Sequence, residues 1–143
     1  QVIWTDHKEH KFIEESGTMN LMLLVDDTFL TPPLTDRILA GVTRRSIIHL
    51  IKDQGWSIQE RPISVDEIIN AARDGELKEA FGMGTAAVVS QIDTIGYKGE
   101  NFSIPVPADG KAMYIKRMLN DIRMGRSDDK YDWMVDLSVS ETA

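Results

Sequence analysis

The segment Gly41-Val42-Thr43-Arg44-Arg45 holds the first chemistry legible in this chain. It leads straight into an amphipathic helical pattern, and a helix start offers unpaired backbone amides and the positive end of the dipole to an anion. Thr43 adds a hydroxyl donor at the same point, so a phosphate fits there. Two arginines in a first turn oppose the dipole, which calls for solvent screening or a nearby anion; an ordinary helix start is the alternative reading. The segment Phe81-Gly82-Met83-Gly84-Thr85-Ala86-Ala87 sets glycines, a hydroxyl and small residues between apolar stretches. Such residues let a ligand approach the backbone, making the amides of Thr85 and Ala86 donors to a carboxylate or phosphate. A β-bulge or tight inter-strand turn would use the same residues without a ligand. In Glu14-Glu15-Ser16-Gly17-Thr18-Met19-Asn20, acids end one apolar strand just before another that reads as buried. A carboxylate so placed is costly unless it meets a cation or a protonated ring nitrogen, or remains solvated at the strand end.

Other reactive side chains point to less. His7 and His10 lie in a charged turn and lack the spacing of a helical metal site. His49 sits in an amphipathic helix, where a satisfied or exposed imidazole is the ordinary outcome. Trp4, Trp56 and Trp133 are widely spaced and read as core or rim residues. With no cysteine in the chain, thiol nucleophiles, zinc-thiolate sites and iron-sulfur clusters are ruled out, and a reducing compartment is consistent with that composition.

The elements that must position these segments follow from periodicity. Val2 to Trp4 and Lys11 to Glu15 read as hairpin strands, and Met19 to Val25 as a strand buried on both faces. Phe29 to Leu34 contains Pro32-Pro33 and therefore reads as an edge strand or extended loop. From Thr43 to Gln54 the stripe Ile47, Ile48, Leu50, Ile51 marks a helix, with Gly55 as its left-handed stop. Trp56 to Pro62 alternates as a strand. Ser64-Val65-Asp66-Glu67 spells a capping box for a second helix ending near Gly75. Leu77 to Phe81, Ala86 to Ile92, Ile95 to Tyr97 and Phe102 to Ile104 read as short strands. Gly110 to Met124 reads as a third helix with Met113, Met118, Leu119 and Ile122 inward, and Tyr131 to Val139 as a strand.

The chain is 143 residues long, 42% hydrophobic and 27% charged, the balance of one globular domain of mixed α/β class. Its net charge of -7 argues against nucleic acid, because phosphate backbones need clustered positive charge. The longest apolar run, Leu21 to Val25, is far below the roughly 20 residues a bilayer span needs, and no leader pattern opens the chain. Cytoplasmic residence is the expectation. Gln1 is followed at once by Val2-Ile3-Trp4 with no polar lead-in, which reads as a cut within a longer protein.

Taken in order, Glu15-Ser16-Gly17-Thr18-Met19-Asn20, Gly41-Val42-Thr43-Arg44 and Phe81-Gly82-Met83-Gly84-Thr85-Ala86 resemble the branched-chain amino acid aminotransferases of the fold-type IV pyridoxal-phosphate enzymes. The likeness runs from Gln1-Val2-Ile3-Trp4 through Glu9-His10-Lys11 to Tyr97-Lys98-Gly99 and Asp132-Trp133. It implies the C-terminal α/β domain of the fold-type IV (D-amino acid aminotransferase-like) enzymes: a mixed β-sheet or pseudo-barrel with flanking helices, residues 1–143 forming one cofactor-binding portion. Glu15 matches the glutamate that pairs with the pyridine nitrogen of pyridoxal 5'-phosphate. Val42 and Thr43 match the helix start that holds the phosphate, and Thr85 a second hydroxyl on it. Gly84, Thr85 and Ala86 match the turn facing the substrate carboxylate, while Thr18 and Met19 line the substrate side.

The resemblance implies ping-pong transamination of leucine, isoleucine and valine with 2-oxoglutarate, by a homodimer acting on small amino acids and 2-oxo acids. The family's Schiff-base lysine matches none of the eight lysines here and is expected upstream of Gln1, so no catalytic residue is assigned and the isolated chain is expected to be inactive. Two departures stand out. Ala40 replaces a proline common in the family, and Ala87 and Ser90 stand where some relatives carry a Cys-x-x-Cys pair, which removes a thiol switch. A D-amino acid aminotransferase, an aminodeoxychorismate lyase and a non-catalytic phosphate-binding or interaction domain are the competing readings. The string Glu15 to Asn20 and its apolar surroundings count against the first two.

Overall fold

A computed structural model describes residues 1–135 and 137. The elements, in order, are β1 (Ile3–Thr5), β2 (Ile13–Ser16), β3 (Met19–Val25), β4 (Thr28–Thr31), α1 (Val42–Asp53), β5 (Ser57–Glu60), α2 (Val65–Arg73), β6 (Leu77–Gly84), β7 (Val88–Gln91), β8 (Thr94–Tyr97), β9 (Glu100–Ser103) and α3 (Lys111–Arg123). β1 to β7 form one sheet, and β8 and β9 a separate hairpin.

β3 is the centre of the sheet. It pairs antiparallel with β2 at its start, with β4 at its end and with β6 along its length. Its apolar residues alternate between two cores, as the unbroken apolar run predicts. Met22 and Leu24 pack with Ile47 and Leu50 of α1 and Ile115 and Leu119 of α3. Leu21 and Leu23 pack with Ile68 and Ala71 of α2. The sheet therefore carries α1 and α3 on one face and α2 on the other, each fully buried aliphatic side chain contributing about 1.5–3 kcal/mol. The path β2–β3–β4–β5 also returns to β2. Phe12 bridges Ser64, the Ile13 amide donates to the Ile63 carbonyl (2.9 Å) and the Val65 amide donates to the Lys11 carbonyl (2.8 Å). That closure is the pseudo-barrel character expected from the fold class.

Local rules account for the helix ends. The Ser64 hydroxyl accepts the Glu67 amide at 3.1 Å, so the first half of the capping box forms; the Glu67 side chain turns instead to Arg61 (2.6 Å). Gly55 follows α1 in the left-handed region at φ 70°.

Several expectations need correction. β4 is an internal strand, bonded to β3 on one side and, in parallel, to β5 on the other. It tolerates Pro32-Pro33 because it ends at Thr31, before the missing amides would be needed. Gly82 and Gly84 lie inside β6 rather than in a turn, because they make room for Met19: a Cβ at Gly82 would come within 2.7 Å of the Met19 Cε. The turn shrinks to residues 85–87, and the next strand starts at Val88 rather than Ala86. In α3 the buried residues are Ala112, Ile115, Leu119 and Ile122; Met118 packs half-buried against the same core, and Met113 is half-buried. No strand forms over 131–135; positions 136, 138 and 139 of that expected strand lie outside the described residues. Tyr131 and Trp133 instead stack on each other at 4.3 Å, both edge-on to His49 of α1. Trp4 is a rim residue, 56% exposed. Among the described residues, no helix is long and apolar enough to cross a membrane.

Candidate functional site

The three segments read from the sequence come from neighbouring strands at one end of the sheet. Glu15 on β2 pairs with Asn20 on β3, and Asn20 pairs in turn with Met83 on β6, just before Thr85. Residues directly opposite one another in antiparallel strands share a face, so the three side chains project to one side over a width of roughly 10 Å. It is the face that carries α1, because Met22 and Leu24, in phase with Asn20, enter the α1 core.

The connection from β4 to α1 crosses this row. Glu15 Oε1 accepts the Leu39 amide at 3.2 Å, and Asn20 Nδ2 donates to the Leu39 carbonyl at 2.8 Å. Two residues later Gly41 caps α1 in an extended conformation (φ -61°, ψ 133°), with no side-chain acceptor for the first-turn amides and no acidic residue in that turn. The amides of Val42, Thr43 and Arg44 have no acceptor among the described residues. Val42 is exposed and Thr43 half-buried, so the open amides are reachable. The carboxylate of Glu15 is thus tied to the connection two residues before the α1 cap.

The charges sort out around it. Arg44 is 3% exposed and turns away from the helix start, its Nη2 donating to the Pro32 carbonyl (2.9 Å) and to Glu60 Oε2 (3.0 Å). One of the two dipole-opposing arginines is therefore neutralised within the protein, while Arg45 is solvent-exposed. Arg37, in the same connection as Leu39, bonds Glu14 at 2.8 Å, and that carboxylate holds the guanidinium above its ordinary range. Glu15 is left without a cationic partner among the described residues, half-buried and with carboxylate capacity to spare.

Met19 occupies the other face of the same strand ends, while Thr18, Thr85 and Ala86 lie in the turns at their tips. Met19 lies over both glycines: a Cβ at Gly84 would meet its Cγ at 3.2 Å. Thr18 is exposed in the two-residue turn between β2 and β3, where Gly17 takes φ 60°. Thr85 and Ala86 are exposed in the 85–87 turn, and no hydrogen bond joins them to Val42 or Thr43. That turn is tightly closed, with Val88 at φ 63° and the Val89 amide donating to the Ala87 carbonyl at 2.7 Å. Val88 itself is buried beneath α3, which holds this β-branched residue in a backbone region it rarely adopts.

Asn20 and Leu39 escape a sequence reading. The only available signal for Asn20 was a polar residue opening an apolar strand, and Leu39 reads as loop. An 800 Å³ groove opens on the α2 side, between β1, α2 and β8, and reaches the site at Ser16 and Met19. His7 and His10 are exposed in the turn after β1.

Known proteins resemble this chain along nearly its whole length. The chain is 41% identical over 141 residues to a probable branched-chain-amino-acid aminotransferase of Staphylococcus epidermidis, covering 96% of this chain and 38% of that protein. It is 39% identical over 139 residues to branched-chain-amino-acid aminotransferase 2 of Bacillus subtilis, with the same coverage. The chain thus spans well under half the length of the curated relatives it matches. The crystal structure of the Escherichia coli branched-chain amino acid aminotransferase superposes with a TM-score of 0.75 at 25% identity, over 94% of this chain and 40% of that one. The fold is that of the fold-type IV aminotransferases. Residues 1–95 match the family model for amino-transferase class IV, and the chain belongs to that family.

Proposed function

We propose that this chain is the C-terminal cofactor-binding portion of a branched-chain aminotransferase that uses pyridoxal 5'-phosphate and exchanges leucine, isoleucine and valine with 2-oxoglutarate. The observation that carries the reading is the start of α1: three amides without an acceptor among the described residues, no acid in the first turn, and the carboxylate of Glu15, without a cationic partner, bonded to Leu39 two residues before the Gly41 cap. That donor set fits a phosphate joined to a cationic ring.

In this reading the Val42 and Thr43 amides and the Thr43 hydroxyl bind the phosphate, and Thr85 supplies a second hydroxyl. Glu15 holds a proton at the ring nitrogen, which its negative charge favours. Bound pyridoxal phosphate supplies the electron sink that lets an amino group pass between an amino acid and a 2-oxo acid. Gly84 at the end of β6, with Thr85 and Ala86 in the turn that follows, binds the substrate carboxylate through backbone amides. Thr18 and Met19 line the substrate side, where the apolar Met19 suits an aliphatic side chain and keeps water out.

The lysine that would carry the cofactor is assigned to a part of the protein before Gln1. Lys52, Lys78, Lys111 and Lys130 are engaged with Glu60, Asp26, Asp27 and Asp53. The complete protein is expected to be a cytoplasmic homodimer, and the isolated chain inactive. Turnover of the full-length protein on L-leucine, D-alanine and aminodeoxychorismate tests the substrate reading; preference for either of the last two overturns it. Borohydride reduction of the isolated chain with pyridoxal phosphate tests the lysine: a single stoichiometric adduct within these 143 residues overturns its assignment elsewhere.

A further inference from the structure

We propose that Asn20 is a positioning residue, which fixes the carboxylate of Glu15 at a set distance from the phosphate-binding start of α1. The inference rests on the cofactor reading above and deepens it.

Asn20 is 5% exposed at the start of β3, a place where an unsatisfied amide would be costly. Its Nδ2 donates to the Leu39 carbonyl, which also accepts the Gly41 amide at 2.8 Å. The amide of the same Leu39 donates to Glu15, the residue opposite Asn20 in the hairpin register. One residue of the connection is therefore gripped at both of its polar groups by neighbouring strands. The second contact is steric. A Cβ at Gly41 would stand 2.3 Å from Asn20 Oδ1, so the helix cap lies directly against the asparagine side chain, which any larger residue there would have to displace. The side chain thus touches both the residue that binds Glu15 and the residue that opens α1. A rigid spacer of this kind matters when one ligand must be met at two ends, because a small displacement at either end sacrifices alignment at the other.

The test uses the full-length protein and pyridoxal phosphate as the probe, titrated by absorbance. Asn20→Ala is expected to weaken cofactor binding about tenfold, as loss of one buried hydrogen bond and its packing implies. Gly41→Ala alone is expected to weaken it further through the clash. The double variant Asn20→Ala/Gly41→Ala should bind no worse than Asn20→Ala, because removing the amide clears the space the new Cβ needs. Asn20→Ala should also raise the pH midpoint of the bound cofactor's visible absorption. With Glu15 less well placed, the ring nitrogen is less firmly protonated and withdraws less charge from the groups conjugated with it. Binding by the wild-type protein with losses that multiply independently in the double variant, or with an unmoved midpoint, overturns the positioning role. Failure of the wild-type protein to bind pyridoxal phosphate overturns the cofactor reading and this inference together.

Discussion

Helices α1 and α3 begin alike and end up differently supplied. Each follows a glycine cap in extended conformation, and neither has a capping side chain at that residue or an acid in its first turn. At α3 the deficit is met from within: both oxygens of Glu79, a buried residue of β6, accept amides, from Lys111 at 2.8 Å and Ala112 at 2.9 Å. At α1 the carboxylate of Glu15 bonds Leu39 instead, and among the described residues no carboxylate accepts a first-turn amide. The same local geometry is thus closed by the protein's own anion in one place and left open to an external one in the other. α2 is a third solution, with Ser64 as the cap and Asp66 and Glu67 in the first turn.

Filling the open start with the protein's own charge should give the largest effect. Thr43→Asp in the full-length protein is expected to weaken pyridoxal phosphate binding about a hundredfold, through lost hydroxyl donation and like-charge repulsion, without loss of thermal stability. Cofactor titration beside a melting curve reads both; retained affinity would break the comparison. Opening the closed start comes next. Glu79→Ala strands two amides, that of Ala112 buried and that of Lys111 half-buried, and is expected to cost about 2 kcal/mol in urea unfolding of the cofactor-free protein. Cofactor affinity should hold, since α1 is untouched. Ser64→Ala, at the self-capped start of α2, is expected to cost about 1 kcal/mol by the same measurement. The smallest effect is a pH dependence. The Arg61 side chain, by hydrogen bond, holds the Glu67 carboxyl below its ordinary range. Its contribution is complete above the ordinary carboxyl value and is lost as the pH falls through the lower folded value. Glu67→Gln should flatten that part of an acid-unfolding curve, and an unchanged curve would remove Glu67 from the account.

What is legible in the sequence is what local periodicity or local sterics decides. Ile47, Ile48, Leu50 and Ile51 announce α1, Ser64 and Glu67 announce α2, and the run Leu21 to Val25 announces a strand with two buried faces. The helix start at residues 41–45 rests on the same footing, because helix starts follow from the chain nearby. Glu79 is illegible for the opposite reason. A carboxylate in a strand reads as a solvated residue until a helix start 32 positions away is folded against it. Gly82 and Gly84 mislead similarly: glycine near a hydroxyl suggests a turn, whereas here it answers a methionine arriving from another strand. Asn20 acquires meaning only through Leu39, 19 residues on. Pro32-Pro33 points to an edge for want of one fact, the end of β4 at Thr31.

One strand lends its side chains to both interiors: Met22 and Leu24 to one, Leu21 and Leu23 to the other. Neither half can therefore melt alone. Detachment of β3 would release both helical layers at once, so amides in α1 and α2 should exchange with deuterium as a single cooperative unit, and slackness at a distance from the ligand would be transmitted to it by unfolding rather than by bending.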